Sequence, residues 1–156
     1  MKTKLVVFGL FWTVFLIQAN FAATLPVQIK DYLNKNYKGW KLSPSERGCS
    51  METNNGVVKG NFNADSTADY AVKFTRGKKG YIIAFLAQQQ NYKAFVLHDT
   101  GASDVKNMGL SIWKKGTRYE TSERNVYVRY DAPTDFECES DVGGIHVYRN
   151  GKFIAY

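Results

Sequence analysis

Three β-prone segments separated by two short turns, within residues 69–98, constrain the fold of this chain more than any other feature. YIIAFLA is apolar on both faces and predicts a central strand. RGKKG and QQQN turn the chain, and YKAFVLH predicts a third strand. DYAVKFT alternates, which predicts a half-buried strand with Tyr70, Val72 and Phe74 on one side and Ala71, Lys73 and Thr75 on the other. Together they predict an antiparallel meander.

Further short β segments fill the last third of the chain: LSIW, RNVYVRY, DFECES, GIHVY and KFIAY. The segment YRNGKF places Asn150-Gly151 between two alternating runs, which is the strongest short-range signal for a β-hairpin. We therefore expect the β structure to continue to the end of the chain.

One segment, TLPVQIKDYLNKNYKGW, predicts a helix. Pro26 suits its first turn, and Gly39 stands where a glycine often ends a helix. Its apolar residues recur on one helical face: Leu25, Ile29, Tyr32 and Leu33. The predicted fold class is α+β, with one N-terminal helix packed on a mostly antiparallel β-meander sheet and a single disulfide.

The first residues have the layout of a secretory signal peptide. Lys2 and Lys4 precede an apolar run, Leu5 to Ile17, and small residues follow at 19–23. A membrane anchor is the alternative, but about 20 apolar residues are needed to cross a bilayer and this run is shorter. We predict a signal peptide at 1–22, a single exported domain at 23–156, and a secreted or periplasmic location without a transmembrane segment in the mature chain. Removing the two lysines lowers the formal net charge from +7 to +5.

Cys49 and Cys138 are the only cysteines. A pair of cysteines in an exported chain predicts a disulfide, and two buried free thiols are the alternative. Because 89 residues separate the two, the chain-entropy model gives the bridge a stabilisation of about 4 kcal/mol.

The stretch GNFNADSTADYAVKF, residues 60–74, concentrates oxygen-bearing side chains in front of a strand. It resembles the DFNGDGxxDYAV loop of FG-GAP and VCBS repeats, which implies a Ca²⁺ site, since Ca²⁺ takes six to eight oxygen ligands. The ligands would be side chains and one backbone carbonyl, that of Thr67: Asn61, Asn63, Asp65, Thr67 and Asp69.

This loop departs from the repeat pattern at Asn61, where Asp is preferred, and at Ser66, where Gly makes the sharp turn. The resemblance covers about fifteen residues and occurs once, whereas a propeller needs at least four blades. The alternative is a turn in which Asn and Asp side chains hydrogen-bond their own backbone. Weak Ca²⁺ binding is thus the only cofactor that we consider.

The segment Asp99-Thr100-Gly101-Ala102 resembles the Asp-Thr-Gly-Ala signature of aspartic proteases, in which two aspartates share a proton. With one copy in the chain, such a protease would have to be a homodimer. His98 stands where the signature keeps an apolar residue, and Asp-Thr-Gly is also an ordinary turn at the end of a strand.

An acidic segment, DAPTDFECESD at 131–141, is predicted to be an extended edge with Phe136, Cys138 and Val142 facing inwards. It could bind a cation or a basic partner, or its charges could keep the edge from pairing with another strand. Its carboxylates share the other face: Asp135, Glu137, Glu139 and Asp141.

Few other residues suggest chemistry. Two histidines, His98 and His146, are too few for a histidine-based zinc site, and the order of residues typical of a Ser-His-Asp triad is missing. No nucleic-acid reader motif is present.

The order of elements resembles that of small exported bacterial proteins. We therefore expect a monomeric, non-catalytic binding or inhibitor module that takes an unknown protein or surface ligand, with the homodimeric aspartic protease as the alternative.

Overall fold

The computed structural model describes residues 25–45, 49, 55–121, 124–140 and 142–156. The predicted signal peptide, at 1–22, lies outside the described residues. None of the helices within the described ranges is long and apolar enough to cross a membrane. The elements are α1 (Val27–Asn36), β1 (Lys41–Leu42), β2 (Val57–Gly60), β3 (Asp69–Arg76), β4 (Lys79–Gln88), β5 (Asn91–Gly101), α2 (Ala102–Lys106), β6 (Met108–Trp113), β7 (Arg118–Glu120), β8 (Asn125–Tyr127), β9 (Ala132–Glu137), β10 (Gly143–Arg149) and β11 (Lys152–Ala155).

The strands of the described ranges are mostly antiparallel, as predicted, and form three sheets rather than one. The largest has the order β1-β3-β4-β5, with β2 also paired to β3. Its strands β3, β4 and β5 are the predicted meander. The second sheet has the order β11-β10-β9-β6, and β7 pairs with β8 in a small third sheet.

Helix α1 lies against one face of the five-stranded sheet. Its buried residues Ile29 and Leu33 join a core cluster with residues of β3 and β4, among them Val72, Phe74 and Ile83. Alternate residues of the same two strands form a second cluster on the other face, where they meet Leu110 of β6. The five-stranded sheet is therefore covered on both faces, and it is the middle layer of the molecule.

The prediction that β3 is half buried is wrong, because the second sheet covers the face that was expected to meet water. Lys73 lies on that face and is fully buried. Its Nζ donates hydrogen bonds to the hydroxyl of Ser45, at 2.5 Å, and to the backbone carbonyl of Met108 at the start of β6. Partners of this kind are what make burial of an ammonium group tolerable.

The hairpin predicted at Asn150-Gly151 is confirmed. Strands β10 and β11 pair from His146–Ala155 to Arg149–Lys152, which leaves these two residues as the loop. Both have positive φ, 51° and 83°, as a two-residue loop of this type requires.

The disulfide between Cys49 and Cys138 is present, with Cα atoms 4.5 Å apart. It joins the segment after β1 to the turn that follows β9. Space beside it is limited, because a Cβ on Gly109 of β6 would lie 2.8 Å from the Cys49 Sγ and closer still to the ring of Phe136. Glycine at this position lets β6 approach the bridge.

The prediction for the acidic segment is wrong in two respects. Asp135 is buried and faces the space between the two larger sheets, while Glu137 is exposed. Val142, expected to face inwards, is 67% exposed. Phe136 is buried as predicted, whereas Asp141 lies outside the described residues. The reason is that β9 lies inside the second sheet, between β6 and β10, and is not an edge.

Candidate functional site

The loop at residues 61–68, between β2 and β3, is held by hydrogen bonds from its own backbone. Asn61 Oδ1 accepts the amide of Ala64 at 2.8 Å, and Asp65 Oδ1 accepts the amide of Thr67 at 2.8 Å. Asn63 Oδ1 accepts the amide of Asp65 at 3.2 Å, and its Nδ2 donates to Asp65 Oδ2 at 2.8 Å. Each of these side chains thus caps a turn of the loop, as Asn and Asp do in tight turns.

Asp69, the last predicted ligand, differs from the others because its side chain is fully buried. Its Oδ2 accepts the amide of Phe62 at 2.6 Å, and its Oδ1 accepts the amide of Ala87, at the end of β4, at 2.8 Å. Burial raises the pKa of Asp69 from 3.8 to about 6, although the two backbone N–H bonds act in the opposite direction. The carboxylate therefore ties the loop to the middle sheet.

Two residues of the loop have backbone conformations that favour glycine. Ala64 has a φ of 74° and Ser66 a φ of 62°. The repeat pattern that the loop resembles, DFNGDGxxDYAV, has glycine at both positions, so Ala64 and Ser66 hold conformations that are strained for a residue with a side chain. Among the described His, Cys, Asp and Glu side chains, no group of three is placed to hold a metal ion. Ca²⁺ binding through Asn61, Asn63, Asp65, Asp69 and the Thr67 carbonyl stays a prediction, with a turn held by its own side chains as the alternative.

The four residues that resemble the protease signature close β5 and begin α2. Asp99 is half exposed, and its Oδ1 lies 3.0 Å from the Nζ of Lys79 on the neighbouring strand. Thr100 donates a hydrogen bond to Asp104 Oδ2 at 2.8 Å, and the amide of Gly101 donates to the same oxygen at 3.2 Å. In this chain the segment makes the turn from a strand into a short helix.

Both histidines of the chain lie against one carboxylate, that of Asp135. His146 Nε2 hydrogen-bonds Asp135 Oδ1 at 2.7 Å, and both side chains are buried. His98 Nδ1 lies 3.1 Å from Asp135 Oδ2, and the His98 side chain is 38% exposed. This histidine–aspartate array connects β5 of the middle sheet to β9 and β10 of the second sheet.

A β-bulge in β5 directs His98 to this position. Ile82 of β4 pairs with His98, whereas Ile83 pairs with Val96, so Leu97 has no partner. In a regular strand Val96 and His98 would share a face. Val96 points outwards and is 55% exposed. His98 lies with Ile82 on the inner face of the middle sheet, the face that meets the second sheet. The extra residue thus turns the imidazole towards Asp135, which is a recognised use of bulges.

A pocket of about 510 Å³ opens beside His98. Three acidic residues line it, and Asn107 and Met108 contribute to its wall: Asp104, Glu137 and Glu139. Hydrogen bonds from Thr100, Ser103 and the Gly101 amide lower the pKa of Asp104, so this carboxylate stays ionised. We call this cavity the His98 pocket.

A second, larger groove of about 680 Å³ lies between the third sheet and the β10–β11 hairpin. Its lining combines three arginines with four tyrosines: Arg124, Arg129, Arg149, Tyr127, Tyr130, Tyr148 and Tyr156. The Arg124 guanidinium lies 4.6 Å from the centre of the Tyr156 ring. No acidic side chain is among the described residues that line this arginine–tyrosine groove, and none of the described ion pairs involves its arginines.

Comparison with known proteins adds no relative: no protein-family model, no curated protein and no solved structure matches this chain. The fold and the geometry of these sites therefore carry the functional argument.

Sequence reasoning missed the histidine–aspartate array and the arginine–tyrosine groove. His98, Asp135 and His146 are far apart in the chain, and only the pairing of two sheets brings them together. A usable signal was present in the acidic segment, where Asp135 is flanked by Thr134 and Phe136 in a β-prone run. No local sequence signal indicated the groove, because its arginines are scattered over residues 124–149.

Proposed function

We propose that this protein is a binding module that holds an acidic segment of a partner protein in the arginine–tyrosine groove. The observation that carries this proposal is a set of three arginines without described acidic partners, arranged around an aromatic-lined groove. Guanidinium groups bind carboxylates through paired N–H donors, and they hold such partners better than ammonium groups do. An ion pair within the protein would have to be broken first, and none is described here.

The tyrosines indicate a protein partner. Tyrosine and arginine are enriched at protein interfaces, where a tyrosine supplies a large rigid surface at a small cost in conformational entropy. Tyr127, at the groove, is 64% exposed, which is a large apolar surface to leave in water. Asn125 and Asn150 add side-chain amides that can bind the backbone of an extended peptide.

A fluorescent hexaglutamate peptide, with hexaglutamine as the uncharged control, tests the proposal by anisotropy. We expect hexaglutamate to bind and hexaglutamine to bind much less. Arg129→Gln should weaken binding about tenfold, since a hydrogen bond to a charged group contributes about 1.5–3 kcal/mol. Arg76→Gln, at the exposed end of β3, changes the net charge equally and should leave binding unchanged. Equal losses in the two variants would show a general charge effect and reject the groove.

We further propose that the protein is exported and acts as a monomer. The disulfide supports export, because such bonds persist in oxidising compartments. N-terminal sequencing of the protein from a secreted or periplasmic fraction tests this, and a mature chain that still begins at Met1 would reject it. Light scattering of the purified protein tests whether it is a monomer in solution.

A further inference from the structure

We propose that the His98 pocket is a catalytic site in which His98 acts as a general base for hydrolysis of an ester that carries a positive charge. This goes beyond binding in the arginine–tyrosine groove, and it departs from the expectation of a non-catalytic protein. It depends on the bulge, the buried carboxylate and the pocket, none of which the groove shares.

The carboxylate of Asp135 fixes the tautomer of the His98 imidazole. Nδ1 of His98 lies 3.1 Å from a carboxylate oxygen of Asp135, where a lone pair would be repelled and an N–H is favoured. The proton of the neutral ring is then on Nδ1, and Nε2 has the free lone pair. No described residue makes a hydrogen bond or ion pair with this Nε2. An acceptor of fixed orientation therefore borders the pocket.

Asp135 also orients the imidazole of His98. A general base works best when a third group orients it and stabilises the cation that it becomes. Asp135 has this position, and the 2.7 Å contact with His146 holds Asp135 in turn.

The chemical step needs only water and substrate. The water oxygen bonds to the acyl carbon while its proton passes to His98 Nε2, and the carbonyl electron pair moves to oxygen. Return of that pair breaks the bond from carbon to the leaving oxygen, which takes the proton from Nε2. The products are a carboxylic acid and an alcohol, with no change of oxidation state. The side-chain amide of Asn107, in the pocket wall, can donate a hydrogen bond to the oxyanion.

The charge of the pocket sets the class of substrate. Carboxylates of Asp104, Glu137 and Glu139 line it, and no described lysine or arginine does. An ester with an ammonium group is therefore favoured over a neutral one, and a phosphoester is disfavoured. The charged and titratable groups around His98 are Asp135 and Glu137 of β9, Asp104 of α2, Glu139 after β9, and His146 of β10, which contacts Asp135. Lys73 of β3 hydrogen-bonds the hydroxyl of Ser45 and the carbonyl of Met108.

Two probes that differ only in the terminal ammonium group test the proposal: the 4-nitrophenyl esters of Nα-acetyl-lysine and Nα-acetyl-norleucine. The intact protein should hydrolyse the lysine ester with a kcat/KM about tenfold higher, since one charge-assisted contact is worth this much. Glu137→Gln should raise KM for the lysine ester and leave the norleucine ester unchanged. His98→Ala should lower kcat about 100-fold at unchanged KM, because general-base catalysis contributes at least this factor.

Controls separate catalysis from folding and from background hydrolysis. Asp99→Asn alters the neighbouring residue, which is half exposed and paired with Lys79, and should keep full activity. Added imidazole should restore the rate of His98→Ala. His146→Gln, which acts only through Asp135, should shift the pH profile of kcat. Equal rates for His98→Ala and the wild type, or no preference for the lysine ester, would overturn the proposal.

Discussion

Replacement of the buried carboxylate of Asp69 should change how the stability of the protein depends on pH. Asp69 is fully buried at the start of β3, and its two oxygens accept backbone amides at 2.6 and 2.8 Å. Burial dominates over these hydrogen bonds and raises its pKa from 3.8 to about 6, and the nearby charge of Asp65 acts in the same direction.

The direction in which stability changes with pH follows from proton binding. Because the pKa of this group is higher in the folded state, the folded protein binds the proton more tightly than the unfolded chain does. The stabilisation is fully present below the unfolded pKa of 3.8 and is lost as the pH rises through about 6. At about 1.4 kcal/mol for each pKa unit, the loss is about 3 kcal/mol in the free energy of unfolding.

Urea unfolding followed by circular dichroism, between about pH 4 and pH 7, measures this loss. The free energy of the wild type minus that of Asp69→Asn should fall by about 2 kcal/mol over this range, because at pH 4 the unfolded chain is itself partly protonated. An asparagine at position 69 keeps one acceptor oxygen and does not titrate. The stability that the substitution itself removes is therefore the same at every pH. Asp65→Asn is the matched control in the same loop, and it should reduce the fall by removing a neighbouring charge. A difference that rises with pH would refute the reasoning, because the backbone hydrogen bonds would then outweigh burial.

Three further predictions concern the loop and the disulfide. Millimolar Ca²⁺ should leave the melting temperature unchanged relative to chelator, because the side-chain oxygens of the 61–69 loop already accept its amides; a clear upward shift would establish a calcium site. Ala64→Gly and Ser66→Gly should each stabilise the protein by about 1 kcal/mol in urea unfolding, because both residues have positive φ, and a loss of stability would contradict this. Replacing Cys49 and Cys138 together by serine should cost about 4 kcal/mol, since the bridge closes a separation of 89 residues; a wild-type midpoint in the double variant would count against it.

Local sequence signals were sufficient for the meander and the last hairpin. The Asn150-Gly151 loop and the turns at 77–78 and 89–90 depend on backbone conformations that a few adjacent residues determine. The apolar run of β4 was identified as a central strand because a strand covered on both faces leaves a continuous apolar pattern. The N-terminal helix was predicted from its one-sided apolar face, and it begins at Val27 and ends at Asn36, inside the predicted segment. The short helix α2 was not predicted.

Lys73 and Asp135 were placed wrongly because each has a charged side chain in an alternating strand. Such alternation usually separates a core face from a solvent face. Here a second sheet covers the expected solvent face, and each charge has polar partners that come from distant parts of the chain. The bulge at Leu97 could not be predicted either, because one unpaired residue leaves no mark on local composition. The candidate catalytic site combines these non-local features.

The middle layer of the molecule has a consequence for how the protein is made. Strands β3, β4 and β5 form one local meander and are complete at residue 101, whereas β6, β9, β10 and β11, which cover its inner face, follow over the next 55 residues. At about 5–20 residues per second, a ribosome takes roughly 3–11 s to add them. During that interval Ala71, Ile82 and Leu86 form an uncovered apolar surface on a sheet that is otherwise able to assemble. The nascent chain therefore exposes this apolar surface until its last hairpin has been synthesised.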